Sequence, residues 1–225
     1  MYYGRVNRLD PQALTQNKLL SVLSPSVLKS LSPFAEAVSF NRGDVLAHAG
    51  DKIEYCYFPT NGMISLVSGT SAGEGVELAY VGSEGFVGFL ILFGKDKMLY
   101  DALAQSGSKC IAIESMAIVK LFDRSIEFRT AMLRFSYVII RQFTQTCVCN
   151  HFHTIESRIC RWLTVMNERS GDKKLDLTQE FLSLMLGVQR TSIGPIAIGL
   201  QRQGLIRYSR GTVEILDPVR LKEMA

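Results

Sequence analysis

An α+β fold follows from three features of the sequence. Short apolar runs punctuated by glycine fill residues 43–107, a stretch free of glycine and proline with helical periodicity follows, and two short amphipathic segments with a hairpin pattern close the chain. These predict, in order, an antiparallel β-sandwich or barrel, one long helix, and a compact helical pair with a small β-ribbon.

Residues 12–38 alternate apolar and polar positions at helical spacing, broken by Pro25 and Pro33, and predict short N-terminal helices. Between Gly43 and Gly107 lie 11 of the 18 glycines, separating "YCYFPT", "GMISLVSG", "GVELAYVG" and "SKCIAIES". Val, Ile and Tyr fit a pleated, half-buried surface, and glycine supplies the turns between them. "SAGEGVE" reads as a hairpin loop between two such strands.

From Asp123 to Asn150 neither glycine nor proline occurs. Met132, Phe135, Ile139, Phe143 and Thr146 fall on one helical face, with Leu133, Ile140 and Cys147 beside it. A helix of about 40 Å results, with more apolar surface than one sheet covers. A parallel partner helix from a second copy is the expected cover. Farther on, Ile155, Ile159, Trp162, Leu163 and Met166 form a further helical stripe, ended by Gly171.

The stretch "LTQEFLSLMLGVQRTSIGPIAIGLQRQGLIRYSRG" carries the most specific pattern. Thr178 is a good N-cap and Glu180 suits the first turn of a helix. Phe181, Leu182, Met185 and Leu186 supply its inner face, and Gly187 ends it. Ile193, Ile196, Ala197 and Leu200 then recur at helical spacing, which turns Arg190, Thr191 and Ser192 outward at the head of a second helix. Two short helices joined by a glycine turn make a helix-turn-helix, whose second helix enters a DNA major groove. "LIRY" and "TVEI" alternate as two strands around "SRG", a hairpin wing.

Charge supports this assignment. The whole chain carries only +4, but from Phe181 to Val213 there is no acidic residue, while Arg190, Arg202, Arg207 and Arg210 all lie there. Such a stripe suits phosphate contact. The expected reading set is Thr178, Gln179, Gln189, Arg190, Thr191 and Ser192, with Arg207 and Arg210 on phosphates. Pro195 has no N–H and is expected to kink the second helix or delay its start.

These residues resemble the Crp/Fnr transcription regulators over nearly the whole chain. "FNRGDVLAHAGDKIEYCYFPTNGMISLV" is similar to the first strands of that family's cyclic-nucleotide-binding-like jelly roll, and "NHFHTIESRICRWL" to the hinge and first helix after its dimer helix. The resemblance implies a sensor domain at 1–122, a dimerisation helix at 123–150 and a winged helix-turn-helix DNA-binding domain at 151–225. It also implies a homodimer on a pseudo-palindromic double-stranded site, and contact with RNA polymerase where transcription is activated. In the cAMP-responsive members the base-reading positions are Arg, Glu and Arg, which correspond to Arg190, Thr191 and Pro195. A different operator is therefore expected.

The cAMP-binding members hold the ribose with a Glu and the phosphate with an Arg-Ser pair. Those positions match Phe89 and Leu99-Tyr100, which offer no guanidinium to an anion. Phe89, Leu99 and Tyr100 are the candidate effector pocket, and the expected effector is an unidentified small molecule other than cAMP. "CVCNHFH" places Cys147 with His151, and Cys149 with His153, four residues apart, with Cys160 farther on. Buried thiols and hinge histidines are the simpler account, so no metal and no cofactor is assigned.

Composition bounds the remaining classes. With 225 residues, 47% of them hydrophobic and 20% charged, the chain is of ordinary globular type. No run reaches the roughly 18 apolar residues of a membrane span. The N-terminus lacks a signal core, and five irregularly spaced cysteines do not form a disulfide framework, so a cytoplasmic location away from membranes is expected. Phosphate-loop, paired-zinc and nucleophile-elbow motifs are missing, so an enzyme is not expected. The competing class is a small-molecule, haem or metal sensor whose C-terminal domain mediates protein contacts.

Overall fold

The computed structural model describes residues 9–70, 74–170 and 173–225. Ser71, Ala72 and Gly73 of the expected hairpin loop, and Gly171, lie outside the described residues. The chain divides into two compact units, one of residues 1–66 and 79–142, the other of residues 67–78 and 143–225.

The first unit opens with a 3-10 turn, Pro11–Gln16, and the short helices α1 (Lys18–Ser21) and α2 (Pro25–Leu31). Asn17 caps α1 by accepting from the Leu20 N–H, and its fully buried amide donates to the carbonyls of Pro59 at 2.8 Å and Gly85 at 3.0 Å. Strands β1 (Ala35–Phe40), β2 (Val45–Ala47), β3 (Tyr55–Pro59), β4 (Ile64–Gly69), β5 (Gly75–Val81), β6 (Asp101–Ala104) and β7 (Ser108–Glu114) follow. They build two sheets, ordered β1-β7-β3 and β2-β6-β4-β5. In the first, β7 is central and antiparallel to both neighbours, pairing Cys110 with Val38 and with Pro59. All four strand segments read from the sequence are strands here.

Next come α3 (Ser115–Arg124) and α4 (Ile126–Phe152). The sequence predicts one helix from about Asp123, whereas Ser125, in an extended conformation, separates two helices. Its hydroxyl accepts the Phe128 N–H at 3.2 Å, so α4 begins with a side-chain cap. Met132, Phe135 and Ile139 are buried as the periodicity requires. Ile126, Leu133, Tyr137 and Ile140, at steps of seven, four and three, remain 73%, 45%, 63% and 51% exposed. Those steps are the alternation of a coiled-coil seam.

The core of this unit is aromatic. Phe58 stacks on Phe86 at 4.8 Å, Phe135 of α4 lies 5.2 Å from Phe86 and 6.4 Å from Phe89, and Phe89 lies 6.2 Å from Tyr100. Gly85 makes this closure possible. A Cβ there would stand 2.0 Å from the Phe135 ring, so any larger residue would force that ring out of its place against Phe86.

In the second unit, α5 (Ile155–Ser170) leads to β8 (Lys174–Asp176), α6 (Gln179–Leu186), α7 (Arg190–Arg202), β9 (Ile206–Ser209), β10 (Thr212–Ile215) and α8 (Pro218–Glu223). The sheet β8-β10-β9 is antiparallel throughout, pairing Val213 with both Leu175 and Tyr208. Trp162 of α5 is buried and donates its indole N–H to Glu77 Oε2 at 3.0 Å.

Candidate nucleic-acid interface

The site grows from two helix ends. Thr178 caps α6, its hydroxyl accepting the Phe181 N–H at 3.1 Å. At the other end Gly187 takes a left-handed φ of 61°, its N–H reaching Leu184 O at 3.3 Å while the Val188 N–H reaches Ser183 O at 3.1 Å. This paired closure favours glycine, because the left-handed conformation crowds a Cβ. Arg158 of α5 donates from Nη2 to the carbonyl of Leu186, holding the last residue of α6. Burial lowers the pKa of its guanidinium, with nearby Cys149 opposing.

After Gly187-Val188-Gln189 the chain enters α7, whose axis makes 107° with that of α6. Two helices meeting near a right angle across a three-residue glycine turn have helix-turn-helix geometry. Ile193, Ala197 and Leu200 are buried, while Gln189, Arg190 and Thr191 are exposed at the head and Ser192 is half-buried. Gln189 makes no side-chain cap, and its carbonyl instead accepts the Ser192 N–H at 3.0 Å, closing the first turn of α7.

The helix runs unbroken from Arg190 to Arg202 through Pro195. The expected delay of its start does not occur. Pro195 offers no N–H to the carbonyl four residues back, on Thr191, and that residue is exposed.

The wing is the β9–β10 hairpin. Arg210 and Gly211 both have positive φ, 49° and 79°, the conformation of a two-residue type I′ turn whose twist suits a hairpin. Arg210 is exposed at its tip. Arg207, by contrast, donates to Glu214 Oε2 at 2.7 Å across the hairpin. Its charge is therefore shared with an acid directly opposite it in the register.

A match to the Crp-like helix-turn-helix domain covers residues 157–224, and a match to the cyclic nucleotide-binding domain covers residues 37–125. The chain belongs to the Crp/Fnr family of transcriptional regulators. It is similar to the transcriptional regulator SdrP of Thermus thermophilus, with 24% identity over 84% of this chain and 94% of that one. It is also similar to the CRP-like cAMP-activated global transcriptional regulator of Mycobacterium tuberculosis, with 21% identity over 95% of this chain and 99% of that one. Among solved structures, the c-di-GMP responsive global regulator CLP of Xanthomonas campestris superposes with a TM-score of 0.73 at 18% identity, over 86% of this chain and the whole of CLP.

Within this Crp/Fnr fold the three candidate effector residues do not gather at one opening. Phe89 and Tyr100 are 3% and 2% exposed inside the aromatic core, and Leu99 is 70% exposed. Burial raises the Tyr100 phenol far above its ordinary pKa, with nearby Cys56 adding to the shift. A groove of about 330 Å³ does open in the first unit, between Leu46, Lys52, Tyr57, Gly88 and Met98, and none of the three candidates lines it.

Cys147, His151 and His153 are exposed, whereas Cys149 and Cys160 are buried. Cys149 Sγ accepts from Gln145 Nε2 at 3.2 Å. Among the described residues no group of three or more His, Cys, Asp or Glu is placed to hold a metal ion. Also among them, no single helix is long and apolar enough to cross a membrane.

Tyr208 is the residue that sequence reasoning missed. Its backbone N–H donates to Gln201 Oε1 at 2.8 Å. Burial raises its pKa, while Arg190 and the Gln179 N–H pull it down. It thus ties the wing to α7 and feels the charge of Arg190 at the helix head. Its place in an alternating strand gave no sign of this, because the contact depends on how β9 packs against α7.

Proposed function

We propose that this regulator acts as a homodimer that reads a two-fold-symmetric DNA site, under an effector other than cAMP. Residues 1–122 act as the sensor, 123–150 as the dimerisation helix and 151–225 as the reader. The observation that carries the reading is the exposed, acid-free head of α7, offset from α6 by a glycine turn and flanked by a basic hairpin tip. Gln189, Arg190, Thr191 and Ser192 face the base edges, with Arg190 paired to guanine. Thr178 and Gln179 hold the groove-side start of α6, and Arg210, with the shared charge of Arg207, meets phosphate.

Two features support the remaining parts. The exposed seam of Ile126, Leu133, Tyr137 and Ile140 suits an identical helix laid parallel to it. At the positions matched to the cAMP-binding cassette, Phe89, Leu99 and Tyr100 offer a cyclic phosphate no cation. An unidentified small molecule in the first unit would act by favouring one arrangement of the dimer over another. In that cytoplasmic setting, activation would add a contact to RNA polymerase.

Selection from random duplex DNA with purified protein at moderate salt, with and without cAMP, tests this function. A palindromic site with half-sites one helical turn apart, recovered equally in both arms, is the expected result. Recovery only with cAMP would overturn the effector assignment, and recovery of no site with or without cell extract would overturn DNA reading.

A further inference from the structure

Beyond its head, the outward face of α7 is apolar. Thr191, Pro195, Ile198 and Arg202 follow at steps of four, three and four, which places them on one side of the helix, and all four are exposed. Ile198 is 49% exposed although Ile193, Ala197 and Leu200 of the same helix are buried. Pro195 carries no side-chain polar atom and no N–H. The face is also low. A Cβ on Gly194 would meet only Gln179 Nε2, at 3.6 Å, and one on Gly199 would meet nothing within 4 Å. No acidic residue interrupts α7, and Arg190 and Arg202 stand at its two ends.

We propose that Pro195 and Ile198 read thymine through its C5 methyl group, making the reading helix selective for A·T pairs just inward of the pair held by Arg190. This rests on the DNA-reading function proposed above. The argument is one of complementarity. Every major-groove edge presents donors or acceptors, and the thymine methyl is the one apolar group among them. A side chain without donors or acceptors gains nothing from a guanine or cytosine edge and leaves its polar groups without partners. Against a methyl, both surfaces are removed from water together. The small Gly194 and Gly199 allow the helix to lie close enough for this contact, with Arg190 on its guanine at one end and Arg202 positioned for phosphate at the other. A protein partner would need no such flanking cations, so DNA is the favoured occupant of the face.

The experiment changes the DNA rather than the protein. Each thymine of the selected half-site is replaced by uracil, which keeps every hydrogen-bonding group and removes only the methyl. Affinities are compared at one fixed salt concentration. At one or two positions uracil should weaken binding about fourfold, the effect of burying one methyl-sized group. The Ile198→Ala and Pro195→Ser variants should lose that preference at separate positions, while keeping their affinity for unrelated duplex. Equal affinity for thymine and uracil at every position would overturn the inference, as would a uracil penalty that survives in the double variant. Failure to bind any thymine-containing duplex would instead defeat the DNA-reading function itself.

Discussion

The backbone N–H of Tyr208 donates to Oε1 of Gln201 at 2.8 Å, fastening the first strand of the wing to the body of the reading helix. Removing the acceptor with Gln201→Leu leaves a half-buried donor without its partner, at about 1 kcal/mol or more. We expect faster hydrogen exchange at the Tyr208 amide and a several-fold weaker affinity for the selected site. Tyr208→Phe, which removes a hydroxyl that interacts electrostatically with Arg190, should blur discrimination at the Arg190 base pair more than it lowers non-specific binding. Unchanged discrimination would return Tyr208 to a packing role.

Thr178 holds the start of α6 through the Phe181 N–H. Thr178→Ala should lower stability by about 1 kcal/mol, and Thr178→Ser should restore most of it. Urea unfolding of both variants measures this directly.

A charge in the seam of α4 tests the dimer. Leu133 and Ile140 are half-exposed, so Leu133→Glu with Ile140→Glu should leave the first unit folded. Two glutamates facing their copies would repel and lose apolar burial. Sedimentation should show monomers, and binding to the palindromic site should collapse toward that of a half-site. A dimer of unchanged affinity would place the interface elsewhere.

Arg210 at the hairpin tip should contribute about one unit to the slope of log affinity against log salt, and Arg210→Ala should remove it uniformly across sequences. Arg207→Ala should have a smaller effect on the slope, because Glu214 already shares its charge.

Thiol burial sets an alkaline limit. Burial raises Cys160 from 9.0 to about 11 and Cys110 from 9.0 to about 12. Both stay neutral in the fold at pH values where the unfolded chain ionises. Their contribution is therefore constant below pH 9 and falls as pH rises from 9 toward 11 and 12. The urea midpoint should drop between pH 8.5 and 10.5, less so in Cys110→Ala with Cys160→Ala. At neutral pH an alkylating reagent should modify exposed Cys147 well before the buried thiols.

Periodicity and turn chemistry made much of this protein legible in one dimension. The strands at 55–59, 64–69, 75–81 and 108–114 follow from glycine-bounded apolar runs, and the cap at Thr178 and stop at Gly187 follow from their residue types. These features are local, so neighbouring residues encode them. The break at Ser125 escaped the pattern because α3 and α4 share a helical composition and only the cap separates them.

What the sequence by itself determined is the kind and order of the elements, and with them a chain whose motifs carry the Crp/Fnr resemblance. Tertiary structure alone decided which apolar residues remain outside. Ile198 and Ile140 are as hydrophobic as Ile193 and Ile139, yet the first pair is half-exposed and the second buried. It also decided that Arg207 faces Glu214, that the Tyr208 amide reaches Gln201, and that Phe89 and Tyr100 close on each other while Leu99 turns outward. The reason is physical. Helix and strand propensities act over a few residues, whereas burial and pairing are set by which surfaces meet, and those surfaces come from segments far apart in the chain.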